Sequence, residues 1–437
     1  MSVTQSLMKS KRILVWFRND LRLHDNEMLV EALAKSESIL PVYFFDPQYF
    51  QKTRFETLKT GVHRAKFLLE SVAALRLSFQ KLGGDILLVH GSPEDFMTKL
   101  VTDFDISEVY HHREVAPEET LISTKMEDLL WKQKINLKHF IGHTLYNKED
   151  LPFPIKDIPD VFAQFKKKTE RDAMVKSCFL SPEEISFVEN EDWGNLPTLA
   201  DLGFEADQED FPAELFKGGE AAGLAHLKEL LLEGSEIHQK PVKNAGDKPG
   251  FSSRLSGWLS LGCLSPRKVY WMLKEAEAEF GGNANFNQIL LGLLWRDYFR
   301  FMFKKHGIAF FQDPEDVEKG FFDAIDNEHP DLLKWKNGNT GHLIIDRYMQ
   351  ELNAHGFIPH TGRLLVSTFL IHILKIHWTN GAVYFEEKLI DYAPASNWGN
   401  WANVAGVGKD LKSKNTFDLE KQIKLLETLV SDTPTIA

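Results

Sequence analysis

Four polar clusters interrupt the apolar second half of this sequence, and each pairs residue types that handle anions or planar rings. In FSSRLSGWLSLGCLSPR (Phe251 to Arg267), Ser252, Ser253 and Ser256 bracket a predicted helix start. Hydroxyls and free backbone N–H groups there suit a phosphate, although plain N-capping is the commoner use of such serines. In LLWRDYFRF (Leu293 to Phe301), Arg296 and Asp297 sit inside an aromatic helix. A buried guanidinium needs an anionic partner, from the protein or from a ligand. Gly362-Arg363 heads a helix predicted to run to Trp378. The stretch LIDYAPASNWGNWANVAGVG (Leu389 to Gly408) reads as too irregular for one helix and too aromatic for a solvent loop. Together the four point to a large aromatic cofactor that carries phosphate.

Two kinds of element must hold these residues. The first 145 residues alternate short apolar runs with amphipathic segments: strands at Arg12 to Phe17, Ile39 to Phe45, Asp85 to Val89, Glu108 to His111 and Leu137 to Ile141, with helices at Glu27 to Leu33, Gly61 to Leu82 and Pro93 to Phe104. That alternation predicts a doubly wound, Rossmann-like parallel sheet of five strands, whose ligands sit beyond the carboxyl ends of the strands. No G-x-G-x-x-G or Walker loop occurs in it, which excludes an ordinary dinucleotide or NTP domain. Residues 146–218 read as a proline-containing, acidic connector, and residues 219–437 as an all-helical domain. The fold class is therefore α/β followed by all-α.

Composition narrows the class further. The chain has 437 residues, 51 Lys+Arg against 63 Asp+Glu and a net charge of −12, which argues against a surface that grips nucleic acid everywhere while leaving room for a local basic groove. Hydrophobic residues at 43% and charged residues at 26% describe a globular chain and exclude disordered and fibrous classes. With 2 cysteines, Cys178 and Cys263, a disulfide scaffold and a four-thiolate metal site are both excluded, and no metal site is expected. No apolar run reaches the length of a membrane span and the N-terminus lacks a signal-peptide pattern, so a cytoplasmic protein is expected. The 10 Trp and 32 Phe suggest planar ligands or aromatic core packing.

The sequence resembles the photolyase and cryptochrome family, most closely its DASH cryptochrome branch, over almost its whole length. The resemblance rests on WFRNDLRLHDNE (Trp16 to Glu27), VYFFDPQYF (Val42 to Phe50), FLLESVAALR (Phe67 to Arg76), TLYNKEDLPF with PDVFAQFKKKTE (Thr144 to Glu170), SRLSGWLSLGCLSPR, LLWRDYFRF and WTNGAVYFEEKLIDYAPASNWGNWANVAGVG. It implies FAD held in the helical domain, a methenyltetrahydrofolate antenna near the α/β domain, light-driven electron transfer, and repair of cyclobutane pyrimidine dimers in single-stranded DNA. Ser252, Ser253, Arg254, Leu255, Ser256 and Arg296 then fall on FAD phosphate contacts, Arg363 and Asp391 on the ion pair beside the flavin ring, and Asn397 opposite flavin N5. Trp401 and Trp378 match the proximal and middle members of the photoreducing tryptophan chain. Phe44, Phe45 and Glu114 lie in stretches that line the folate pocket. Arg18 and Arg22 read as buttresses of their turn. A monomer is expected.

Departures from the family pattern share a theme. The distal tryptophan of the chain aligns with Ile325, which cannot be oxidised; of the nearby Phe321, Phe322 and Trp335, only Trp335 can. The acidic residue and the Met that contact a flipped-out dimer align with Gly292 and Leu364, and an aromatic one with Asn403. One phosphate-contacting arginine appears as Lys243 or is absent, and two others align with Thr361 and Asn415. An aromatic residue closing over FAD aligns with Gln239, and the second Asp of a D-x-D pattern with Ala393. Weak binding of damaged DNA and poor repair are the expected results. The alternative is a light-sensing or signalling flavoprotein without repair.

Overall fold

The computed structural model describes residues 11–53, 55–205, 216–239, 251–311 and 325–407. Phe321, Phe322, Lys243, Asn415 and a helix expected at Leu419 to Val430 lie outside them. Five strands, β1 (Arg12–Phe17), β2 (Ser38–Phe45), β3 (Leu87–His90), β4 (Glu108–His112) and β5 (Asn136–Phe140), form one parallel sheet in the order β3-β2-β1-β4-β5. β1 lies in the middle and is buried from Ile13 to Phe17, which explains its unbroken apolar run: both of its faces meet helices. The crossovers are α1 (Glu27–Lys35), α2 (Val62–Lys81), α3 (Pro93–Asp103) and α4 (Pro117–Lys132). The last was not anticipated from the sequence. It buries only Ile122, Met126 and Leu130 as an apolar stripe, while Leu121 and Trp131 face solvent and blur its periodicity.

The connector is more ordered than its composition suggests. It contains α5 (Phe162–Asp172), whose Phe162 ring stacks on Trp295 at 3.5 Å and 9°. The helical half comprises α6 (Glu220–Leu231), α7 (Ser256–Ser260), α8 (Pro266–Phe280), α9 (Ala284–His306), α10 (Pro330–Lys336), α11 (Leu343–His355), α12 (His360–Thr368), α13 (Trp378–Lys388) and α14 (Pro394–Ala405).

Two expectations about that half need correction. The helix from Gly362 to Trp378 is not continuous: α12 passes into a π-turn at Phe369–Ile373, Lys375 takes φ +58°, and Trp378 opens the next helix. The stretch after Leu389 is mostly one helix, α14. Its glycine content reflects close packing: a Cβ on Gly399 would lie 2.3 Å from the Phe299 ring, so only glycine lets α14 approach α9.

The turn after β1 welds the halves together. Arg22 is fully buried and donates to the carbonyls of His24, Asp25, Gly142 and Gly262, while Asp25 receives Arg267 at 2.7 and 3.0 Å. The predicted buttressing role of Arg22 thus extends across the join. Asp297, fully buried on α9, accepts from the backbone N–H groups of Leu145 and Tyr146 and fixes the start of the connector.

Candidate functional site

The site is assembled by helix packing in the second half. Arg296, on α9, donates through Nη2 to the Leu259 carbonyl at 2.8 Å, which brings it against α7 and the serine cluster. Its Nη1 is buried without a hydrogen-bond partner. Burial, reinforced by the like charge of Arg300, pushes its pKa down to about 9, so the guanidinium stays charged at neutral pH and needs an anion. Ser252 and Ser253 precede α7, Arg254 holds a left-handed φ of +54°, and Leu255 occupies the cap position without a side-chain bond. The serines are therefore not serving as N-cap of α7, and their hydroxyls remain available. An orphaned cationic donor beside a serine-rich loop fits a phosphate.

A second group gathers where α12, α13 and α14 meet. Arg363 Nη2 contacts both oxygens of Asp391 at 3.0 and 2.8 Å, and Nε donates to the Ile358 carbonyl. Asn397, buried on α14, donates to the Ala382 carbonyl of α13 at 3.0 Å, and Trp401 follows one helical turn later. Gly381 makes room for that indole, since a Cβ there would lie 2.1 Å from Trp401 Cη2. Gly381→Ala is expected to destabilise the chain by about 1–3 kcal/mol through overpacking, read as a lower denaturant midpoint with unchanged slope.

Ala393 occupies the N-cap of α14 in extended geometry and provides no side-chain bond. An aspartate fits this role, accepting from the first free N–H groups. Ala393→Asp should stabilise the chain by about 1 kcal/mol, measurable by thermal or denaturant unfolding.

The tryptophans form two arms. Trp401 lies 6.3 Å from Trp335, and Trp378 lies 5.6 Å from Trp398 in an edge-to-face pair. Of these, the sequence pointed to Trp378, Trp401 and Trp335 and not to Trp398. Ile325 is described and half-buried. On the outer face, Gly292 is exposed, with nothing within 4 Å of where its Cβ would be. Leu364 and Asn403 are half-buried and Gln239 is exposed.

A cavity of about 700 Å³ lies between the halves, at the carboxyl ends of β1 and β2. Phe44 lines it, together with Tyr49, Lys59, Glu119 and Trp398. Glu114 is not among the residues that line this cavity. It is buried beneath the wall, where Asn19 takes Oε1 at 3.0 Å and Arg300 takes Oε2 at 2.9 Å. Phe45 likewise turns into the core against Tyr43 and His90. Glu119, carried by α4, is one of the carboxyls that line the cavity, with Asp46, Glu118 and Glu386.

The two carboxyls are set apart by their neighbours. Burial opposes ionisation of Glu114, yet His143 and the guanidinium groups of Arg300 and Arg18 hold it well below the usual range. Burial and the Glu114 charge push Glu119 up to about 7. The folded chain thus keeps a proton that the unfolded chain, with a glutamate pKa near ~4.3, has lost. Stability should fall as pH rises through that window to about 7, and Glu119→Gln should flatten the decline, as read from unfolding midpoints on either side of the window.

Residues 13–184 match the DNA photolyase family, and residues 289–427 match the FAD binding domain of DNA photolyase. The chain is 40% identical over 419 residues to a protein of Gloeobacter violaceus named Cryptochrome DASH, covering 95% of this chain and 83% of the relative. It is 36% identical to the chloroplastic/mitochondrial Cryptochrome DASH of Arabidopsis thaliana, covering 94% and 72% of the two chains. Among solved structures it resembles the cryptochrome of Synechocystis sp. PCC6803, with a TM-score of 0.88, 36% identity, and coverage of 97% and 88% of the two chains.

Proposed function

The chain belongs to the photolyase and cryptochrome family, as an FAD-binding protein of its DASH cryptochrome branch, and from that premise we propose that it is a blue-light-driven electron-transfer flavoprotein with weakened repair of cyclobutane pyrimidine dimers. The buried Nη1 of Arg296, without a hydrogen-bond partner beside the serine-rich loop, carries this reading, because a bound phosphate would both pair with it and offset its charge. Arg296, Ser252, Ser253, Arg254, Leu255 and Ser256 would hold the FAD phosphates. The Arg363–Asp391 pair would lie beside the ring, where a guanidinium stabilises negative charge, and Asn397 would offer an amide that donates or accepts without supplying a proton. When bound, FAD supplies blue absorption and one-electron chemistry.

Weakened repair follows from Gly292, Leu364, Asn403 and Thr361, which remove carboxylate, thioether, aromatic and cationic contacts from a pocket that must hold flipped bases. The expected partner is single-stranded or damaged DNA, bound weakly by a cytoplasmic monomer. For the cavity between the halves, a methenyltetrahydrofolate antenna is the proposed occupant: its volume suits one planar ligand, and the carboxyl of Glu119 suits a pterin edge. The light-sensing alternative is favoured by the same exposed Gly292.

The test is reconstitution with FAD followed by illumination over thymine-dimer oligonucleotide. A bound flavin spectrum with repair an order of magnitude below that of a photolyase is expected, and the combination Gly292→Glu with Asn403→Tyr should raise it. Full repair by the unaltered chain would refute the weakening, and absence of flavin binding would refute the whole reading.

A further inference from the structure

The segment Phe251 to Leu255, which leads into α7, holds a shape that it cannot keep by itself. Arg254 sits at φ +54°, and a residue with a Cβ stays in that left-handed region only where its surroundings over-determine it. Right-handed Leu255 follows, at φ −76° and ψ −14°. A left-handed residue next to a right-handed one turns successive backbone N–H groups to one side, which makes a concave seat for an anion. Arg296 reaches α7 beside it, with its buried Nη1 unsatisfied.

Two side chains hold this loop by its carbonyls: His226 of α6 donates from Nε2 to Ser253 at 2.9 Å, and Gln288 of α9 donates to Phe251 at 3.1 Å. His226 is itself fixed. Its ring stacks on Trp258 of α7, with centroids 4.9 Å apart and planes at 25°, and the Trp258 indole N–H donates to the Lys217 carbonyl at 2.9 Å. Gly223, one turn earlier on α6, admits that indole, since a Cβ there would lie 2.8 Å from its ring. The start of α6 is tied to the other half of the chain, where the Glu220 carboxylate accepts from the backbone N–H groups of Leu23 and His24 at 2.8 and 3.0 Å. Gln288 is exposed, and water competes for its bond, so the loop depends chiefly on His226.

Resting on the reading that this loop takes the FAD phosphates, we propose that His226 is a positioning residue for the cofactor. By holding the Ser253 carbonyl it keeps Arg254 left-handed and the loop's N–H groups and hydroxyls set for phosphate before FAD arrives. Ordering the loop in advance removes an entropic cost from binding. The carbonyl selects Nε2–H as the donor, and the other ring nitrogen is not needed for the bond. His226 acts on FAD only through Ser253, and it lies outside every motif that carries the family resemblance.

Two measurements on the full chain test this role, after circular dichroism shows that each variant folds. The first titrates FAD and riboflavin, which lacks phosphate, by flavin fluorescence. His226→Phe keeps a ring against Trp258 and removes the donor, so it should weaken FAD by about tenfold and leave riboflavin unchanged. His226→Gln, whose amide N–H can replace Nε2–H, should restore FAD affinity. The second follows amide hydrogen exchange in the FAD-free chain, where residues 251–256 should exchange about tenfold faster in His226→Phe while α9 exchanges as in the parent. An equal loss of FAD and riboflavin, or a loop whose exchange ignores the substitution, overturns the role. FAD affinity that falls in Arg296→Leu but not in His226→Phe also overturns it and leaves the phosphate site in place. FAD affinity unchanged by either substitution removes the phosphates from this loop, so that the underlying reading fails and the role with it.

Discussion

Replacement of Arg296 by leucine will lower FAD affinity by about a hundredfold or more while leaving the FAD-free chain as stable as before or more so. The two effects have opposite signs for one physical reason. In the free chain the guanidinium is taken out of water with a single hydrogen bond, to Leu259, and its Nη1 is unsatisfied. That burial costs stability, and an apolar side chain of similar size escapes the cost, giving a gain on the order of 1 kcal/mol after the lost Leu259 contact is counted. Against a phosphate, the same guanidinium forms charge-assisted bonds worth about 1.5–3 kcal/mol, and leucine gives none. Titration of FAD into the apoprotein, read by flavin fluorescence, combined with denaturant unfolding of the apoprotein, checks both signs. Unchanged FAD affinity would remove Arg296 from the phosphate site.

The largest loss of stability is expected at Arg22. Its guanidinium satisfies four carbonyls contributed by the turn after β1, by the loop after β5 and by the segment between α7 and α8. Arg22→Met keeps the volume of the stem and removes every donor. Four buried carbonyls are then left without these partners, and even partial rescue by water leaves a loss above ~4 kcal/mol. Because the carbonyls come from both halves, the variant should unfold in two steps where the parent unfolds in one, visible as separate transitions by far-ultraviolet dichroism and tryptophan fluorescence. A midpoint shift equivalent to less than ~1 kcal/mol would show that the join is held elsewhere, for instance by Asp25 and Arg267.

Much of this protein was legible in its residues. Short apolar runs named all five strands to within two residues at either end, most plainly β1, since a strand buried on both faces can be built from little else. Arg296 could be singled out because a charged group among aromatic residues is costly without a purpose, whereas Asp391 and Asn397 were reached only through the family resemblance. Motifs that extend over almost the whole length identified the family.

Tertiary structure decided which atoms are free and which are occupied. Glu114 and Glu119 are equivalent in sequence, five residues apart, yet Arg300 and Asn19 claim the first and leave the second at the cavity. Trp398 meets Trp378 only because α13 and α14 pack together, and Gly399 of α14 read as irregularity until contact with α9 explained it. Periodicity and residue type report how an element meets solvent, and so they determine the elements and the kind of chemistry. Partnership between groups distant in the chain depends on packing geometry to within an ångström, and only the folded chain supplies it.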